Sequence, residues 1–179
     1  MKIPRIAYAA YGFALVVIVL DQLTKASVMG VDLRELGQIR VWPPLFNLTW
    51  VENRGVSFGL FGDGSARWML SAFSVAVAGI LGWWALKADR RLLITAIGLI
   101  MGGAIGNVID RIRFGFVVDF LDFSGPHFFL GSFKVNFPWI FNVADSAICI
   151  GVVLLILDSY NDGRLAKAKA AVGLAAEKS

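Results

Sequence analysis

Three stretches of this chain carry no charged side chain at all, Ile6 to Leu20, Trp68 to Leu86 and Leu92 to Ile109, and a fourth apolar run, Val135 to Leu157, carries one, Asp145. A helix that crosses a bilayer needs about 20 mostly apolar residues. The pattern therefore predicts four spans, at about 6–24, 67–86, 92–113 and 138–157, within one integral membrane domain over residues 1–179. Between the first two spans the period changes. Phe46, Leu48 and Trp50 alternate with Asn47, Thr49 and Val51; after Glu52-Asn53-Arg54-Gly55, Val56, Phe58 and Leu60 alternate with Ser57 and Gly59. A two-residue period marks strands, so a hairpin with its turn at 52–55 is expected here. The expected fold class is an all-α membrane protein of four transmembrane helices, with a small outward-facing β-sheet between spans one and two.

Composition fixes the environment. With 58% hydrophobic residues, 17% charged and a mean hydropathy of +0.70, the chain lies far from the average soluble domain. The first window follows Lys2 and Arg5 as in a signal peptide, but it runs into Asp21 and Lys25 without a small-residue cleavage site and reads as a retained span. Lys87, Arg90 and Arg91 lie between spans two and three, and Arg164, Lys167 and Lys169 follow span four. The positive-inside rule then puts both termini in the cytoplasm, the loops 25–66 and 114–137 outside and the tail 158–179 inside, as a short helix or without order. The same placement explains the net charge of +4 as topology and attraction to membrane lipids, with no nucleic-acid partner. The single Cys149 excludes disulfide frameworks and paired-Cys metal sites and is expected to be packed; the lone His127 reads as a surface or interface residue.

Asp145 is therefore the anomaly. An ionisable group in an apolar span is costly and usually marks a proton path, an ion path or a catalytic site, the plainer reading being a helix cap. Asp119 lies in a similar setting, Phe116-Val117-Val118-Asp119-Phe120-Leu121. Counting at about 1.5 Å per residue, Asp145 falls in the outer half of its span, and the chain has to turn back near Gly115 for Asp119 to stay at the membrane. Both carboxylates then meet near the outer surface. Two close carboxylates share a proton, which makes the pair an acid and a base together: one activates water, the other hydrogen-bonds a carbonyl and protonates the leaving amine. Cys149 and Ser146 lack the base that a nucleophile needs, and one His builds no conventional metal cluster. Gly102 to Gly106 reads as close helix packing, and Gly103, Asn107 and Asp110 share one helical face. The alternative to a peptidase is a small proton-coupled transporter relaying protons through two intramembrane carboxylates; a non-enzymatic protein whose aspartates only cap helices is a third reading.

The motifs resemble those of the bacterial lipoprotein signal peptidases, signal peptidase type II. They are Asp21-Gln22-Leu23-Thr24-Lys25, Val51 to Gly59, Gly106-Asn107-Val108-Ile109-Asp110-Arg111, Val118-Asp119-Phe120 and Phe141-Asn142-Val143-Ala144-Asp145-Ser146, in that order over roughly residues 10–160. The resemblance implies a four-helix aspartyl endopeptidase of the bacterial inner membrane that cleaves diacylglyceryl-modified prolipoproteins at the lipobox cysteine. It makes Asp119 and Asp145 the catalytic pair and gives Asn142 the role of orienting the pair or the substrate. Asn107, Asp110 and Arg111 would support the site and contact substrate, and Asn53, Arg54 and Gly55 would belong to an outward sheet that cradles the substrate. Asp21 and Lys25, spaced i, i+4, are expected to form a structural pair. Neither metal nor cofactor is required, and a monomer suffices.

Overall fold

The computed structural model describes residues 4–55, 65–125, 127–130, 133–136 and 140–176. In chain order the main elements are α1 (Tyr8–Gly30), the one-turn α2 (Leu33–Leu36), β1 (Gln38–Trp42), β2 (Phe46–Asn53), α3 (Ser65–Ala85) and α4 (Arg91–Phe114). They are followed by β3 (Val117–Asp122), β4 (His127–Leu130), β5 (Phe133–Asn136), β6 (Ile140–Phe141) and α5 (Val143–Ala176). Among the described residues four helical stretches are long and apolar enough to cross a membrane: α1, α3, α4 and Val143–Arg164 of α5. Two run past their expected ends. Helix α1 continues to Gly30 because Asp21 and Lys25 are buried inside the bundle instead of marking its edge, and α5 continues through the tail to Ala176.

Helix α4 is the centre of the bundle, packed on α1, α3 and α5. Of its apolar window 72% is buried, against 22–28% for the other spans, which turn large apolar side chains such as Leu15, Phe73 and Ile156 outward as lipid-facing helices do. Small residues let the backbones approach. A Cβ added at Gly102 would lie 2.7 Å from the Ala14 carbonyl oxygen of α1, and one at Gly103 only 2.3 Å from that of Ala144 on α5. Lipid tails are as apolar as leucine, so helix association in a bilayer depends on contacts of this kind. That closeness brings the polar ends of α1, α4 and α5 into hydrogen-bonding range.

The sheet covers that polar end. Its strand order is β1-β2-β3-β6, all neighbours antiparallel, with Val51 opposite Asp119, Asn53 opposite Val117 and Leu121 opposite Phe141. The expected start of the turn is corrected here: β2 extends through Glu52 and Asn53, assigned above to the turn, and it pairs with β1 and β3. The expected partner strand, Val56 to Leu60, lies outside the described residues. A sheet placed between spans one and two thus also recruits strands from between α4 and α5. Val118 and Phe120 on one face pack with Val28 of α1 and Leu33 of α2, which fixes the sheet to the bundle.

Candidate active site

Asp145 sits in the first turn of α5, and Asn142 caps that helix. The Asn142 Oδ1 accepts from the Asp145 backbone N–H at 2.9 Å, while the Asn142 N–H donates to Asp145 Oδ2 at 3.4 Å, the reciprocal arrangement of a capping box. The plain reading of a lone membrane carboxylate is therefore true, and it is incomplete. The other oxygen, Oδ1, accepts from Asn107 Nδ2 at 2.8 Å, across from α4.

Asp119 arrives from the opposite side. Helix α4 ends at Gly115, whose φ of 85° is the left-handed conformation that favours glycine, and the chain reverses there into β3. The Asp119 carboxylate accepts from Asn53 Nδ2 at 2.9 Å and from Asn142 Nδ2 at 2.7 Å. Burial, and next the charge of Asp145, push its pKa up to about 6, against the pull of these two amides. Asp119 and Asp145 both line one cavity of about 580 Å³, with Asn53 beside them and Ile140, Phe141 and Ile148 as apolar wall. Each carboxylate is held by neutral amides, and among the described residues neither is paired with a cation. A buried pair of this kind can keep one proton between its two members and deliver it to a substrate.

Behind the pair lies a second polar layer with no exposure. Lys25, Asp21 and Asp110 are each 0% exposed, and the Lys25 ammonium stands 2.8 Å from Asp21 Oδ2 and 2.7 Å from Asp110 Oδ2. The expected Asp21–Lys25 pair is present, but Asp110 completes it as a triad. Its carboxylates also hold backbone: Asp21 Oδ1 accepts from the Ala144 N–H at 3.0 Å and Asp110 Oδ2 from the Val118 N–H at 3.1 Å.

The remaining predicted residues are distributed unevenly. Gly55, with φ 79°, donates its N–H to Asn53 Oδ1 at 2.9 Å and so turns the Asn53 amide with its NH2 toward Asp119. Arg54 is exposed, paired with Glu52 at 3.0 Å, and lies over the Phe116 ring. Arg111 is half-buried and within electrostatic reach of Asp145, Asp110 and Asp119. Cys149, expected to be packed, is exposed and lines the cavity one turn after Asp145; Ser146 lines it too. Gln22 was missed as a site residue: its amide donates to Asp110 Oδ1 at 2.9 Å and to Asp21 Oδ2 at 3.1 Å. Its place beside Asp21 in an otherwise apolar helix was the available signal. The side chain of His127 lies outside the described residues.

Residues 13–161 match the family model described as signal peptidase (SPase) II. The chain is 46% identical over 162 residues to the lipoprotein signal peptidase of Caulobacter vibrioides, covering 89% of this chain and 91% of that protein. It is 47% identical over 153 residues to that of Rhizorhabdus wittichii, covering 82% and 83%. Its fold is similar to that of a bacterial membrane enzyme solved by the in meso method at 1.9 Å resolution, with a TM-score of 0.66 and 29% identity over 84% of this chain and 91% of that one. These similarities leave the transporter reading without support. A four-helix membrane bundle whose polar end holds two amide-bound aspartates around one cavity, matched over this length, belongs to the signal peptidase II family.

Proposed function

We propose that this membrane peptidase removes the signal peptide of lipid-modified prolipoproteins with Asp119 and Asp145 as its catalytic pair. The observation that carries the assignment is the cavity that both carboxylates line, each held by neutral amides, from Asn53 beside it and from Asn107 and Asn142 behind it. The ionised member takes a proton from water as the water oxygen attacks the scissile carbonyl. The protonated member donates a hydrogen bond to the carbonyl oxygen and then protonates the departing amine. The products are the signal peptide carboxylate and the free α-amine of the lipidated cysteine. This route requires no metal or cofactor.

The apolar wall of Ile140, Phe141 and Ile148 suits a substrate whose acyl chains stay in the bilayer while its peptide bond reaches the carboxylates. The single membrane domain, inserted as a monomer with both termini in the cytoplasm, presents the site at the outer face of the inner membrane. There the strand carrying Asn53, with Arg54 and Gly55 after it and the Arg111 guanidinium close to Gly55, borders the substrate, and surrounding lipids supply the seal.

The test is cleavage of a synthetic diacylglyceryl lipobox peptide by purified protein. Asp119→Asn and Asp145→Asn should each lower kcat on the order of 10³-fold or more while the protein stays folded. Cleavage by either variant at the wild-type rate would remove that residue from the mechanism. Absence of cleavage by the unaltered protein would remove the substrate assignment.

A further inference from the structure

The Lys25 ammonium has three protons, and all three have partners: Asp21 Oδ2 at 2.8 Å, Asp110 Oδ2 at 2.7 Å and Asn107 Oδ1 at 3.3 Å. Two carboxylates already exceed what one ammonium needs for charge balance. The third contact is therefore the informative one. Asn107 Oδ1 also accepts from Asn142 Nδ2 at 3.2 Å, so two donors converge on that oxygen. Reversing the amide would set its NH2 against both of them. The only orientation without a clash of donors aims Asn107 Nδ2 at Asp145, where it stands 2.8 Å from Oδ1.

The two acids extend the same control to the backbone. Asp21 Oδ1 holds the N–H of Ala144, the residue before Asp145, and Asp110 Oδ2 holds the N–H of Val118, the residue before Asp119. One buried cation on α1 thus reaches both carboxylates of the pair, which come from β3 and α5. Lys25 itself touches neither and is 0% exposed, so it has no route to substrate.

We propose that Lys25 is a positioning residue for the reaction, its ammonium fixing the Asn107 amide and, through Asp21 and Asp110, the placement of Asp119 relative to Asp145. This rests on the assignment of those two aspartates as the catalytic pair. It goes beyond the i, i+4 structural pair expected from the sequence, because a pair that only stabilised α1 would leave turnover unchanged in folded protein.

The experiment uses full-length protein and the lipopeptide assay, with folding followed by thermal melting in detergent. Lys25→Met alone would leave two buried acids facing one another, so the first variant is Asp21→Asn/Lys25→Met/Asp110→Asn, which keeps the shapes and removes the charges. Its expected kcat is about 10- to 100-fold below wild type, as for a misplacement of catalytic groups of the order of an ångström, with KM unchanged. Because Lys25 acts through Asn107, adding Asn107→Ala should give a kcat no lower than the worse of the two variants. A folded neutral cluster with wild-type kcat overturns the proposal, and so do effects that multiply. Should that variant fail to fold, Lys25→Arg carries the test, since it keeps the charge balance and displaces the donor: a kcat lowered at least tenfold with KM unchanged is expected, and an unchanged kcat overturns the proposal. Cleavage by the unaltered protein, together with loss of cleavage in Asp119→Asn, separates failure of this inference from failure of the aspartate assignment.

Discussion

Asp119 and Asp122 stand three residues apart on the same short strand, both 2% exposed, and the structure treats them in opposite ways. Asp122 accepts from Thr49 Oγ1 and Ser124 Oγ at 2.5 Å each, from the Ser124 N–H at 2.8 Å and from Gln38 Nε2 at 3.3 Å. Burial opposes its ionisation, but these donors outweigh burial and hold the carboxyl below its usual range. At Asp119 burial, and next the charge of Asp145 across the cavity, outweigh the two amide donors, so its pKa rises to about 6. The balance of burial, neighbouring charge and donors decides which acid ties loops together and which keeps a transferable proton.

The comparison breaks most sharply at the residues themselves. Asp119→Asn should abolish measurable cleavage of a lipopeptide, whereas Asp122→Ala should leave kcat close to wild type in the same assay. Next in size is Asn142→Ala, which removes an amide from Asp119 and the cap from α5. A fall in kcat of about 10²-fold is expected, with a loss of about 1 kcal/mol in stability. Asp122→Ala should itself destabilise the fold by about 1–3 kcal/mol, since Thr49 and Ser124 lose their acceptor; denaturation in mild detergent measures it.

The smallest effect is on pH, and its sign separates the two acids. The folded state keeps the Asp119 proton up to about pH 6, while an unfolded chain releases it near 4. The contribution of Asp119 to stability is therefore greatest below pH 4, falls as pH rises through that window by at most about 1.4 kcal/mol per unit, and is flat above it. Asp122 works the other way, contributing stability above the unfolded value that is lost only at more acid pH. Melting temperatures of wild type and Asp119→Asn between pH 4 and 7 should differ in slope; parallel curves would sink the assignment of the raised pKa to Asp119.

Much of the architecture was legible in one dimension. Apolar windows locate four spans because a bilayer admits only helices or closed barrels, and Gly115 announces the reversal that carries Asp119 back to the site. The sheet was only half legible: alternation at 46–51 marks β2, but its partners β1 and β3 come from both connecting segments, and no local pattern encodes which strands pair. Cys149 misled for a related reason, since an apolar neighbourhood in sequence says nothing of which side of a helix faces a cavity.

The chain by itself determined that this is a four-span membrane protein and that Asp119 and Asp145 need explaining, because hydropathy and the cost of burying charge are properties of the residues. Only the tertiary structure decided that Asn53, Asn107 and Asn142 are the groups that hold those carboxylates, and that Lys25 pairs with Asp110 as well as Asp21. The physical reason is that hydrogen bonds and ion pairs act over about 3 Å, and partners 23 to 123 residues apart in the chain come that close only when α1, α4, α5 and the sheet have packed.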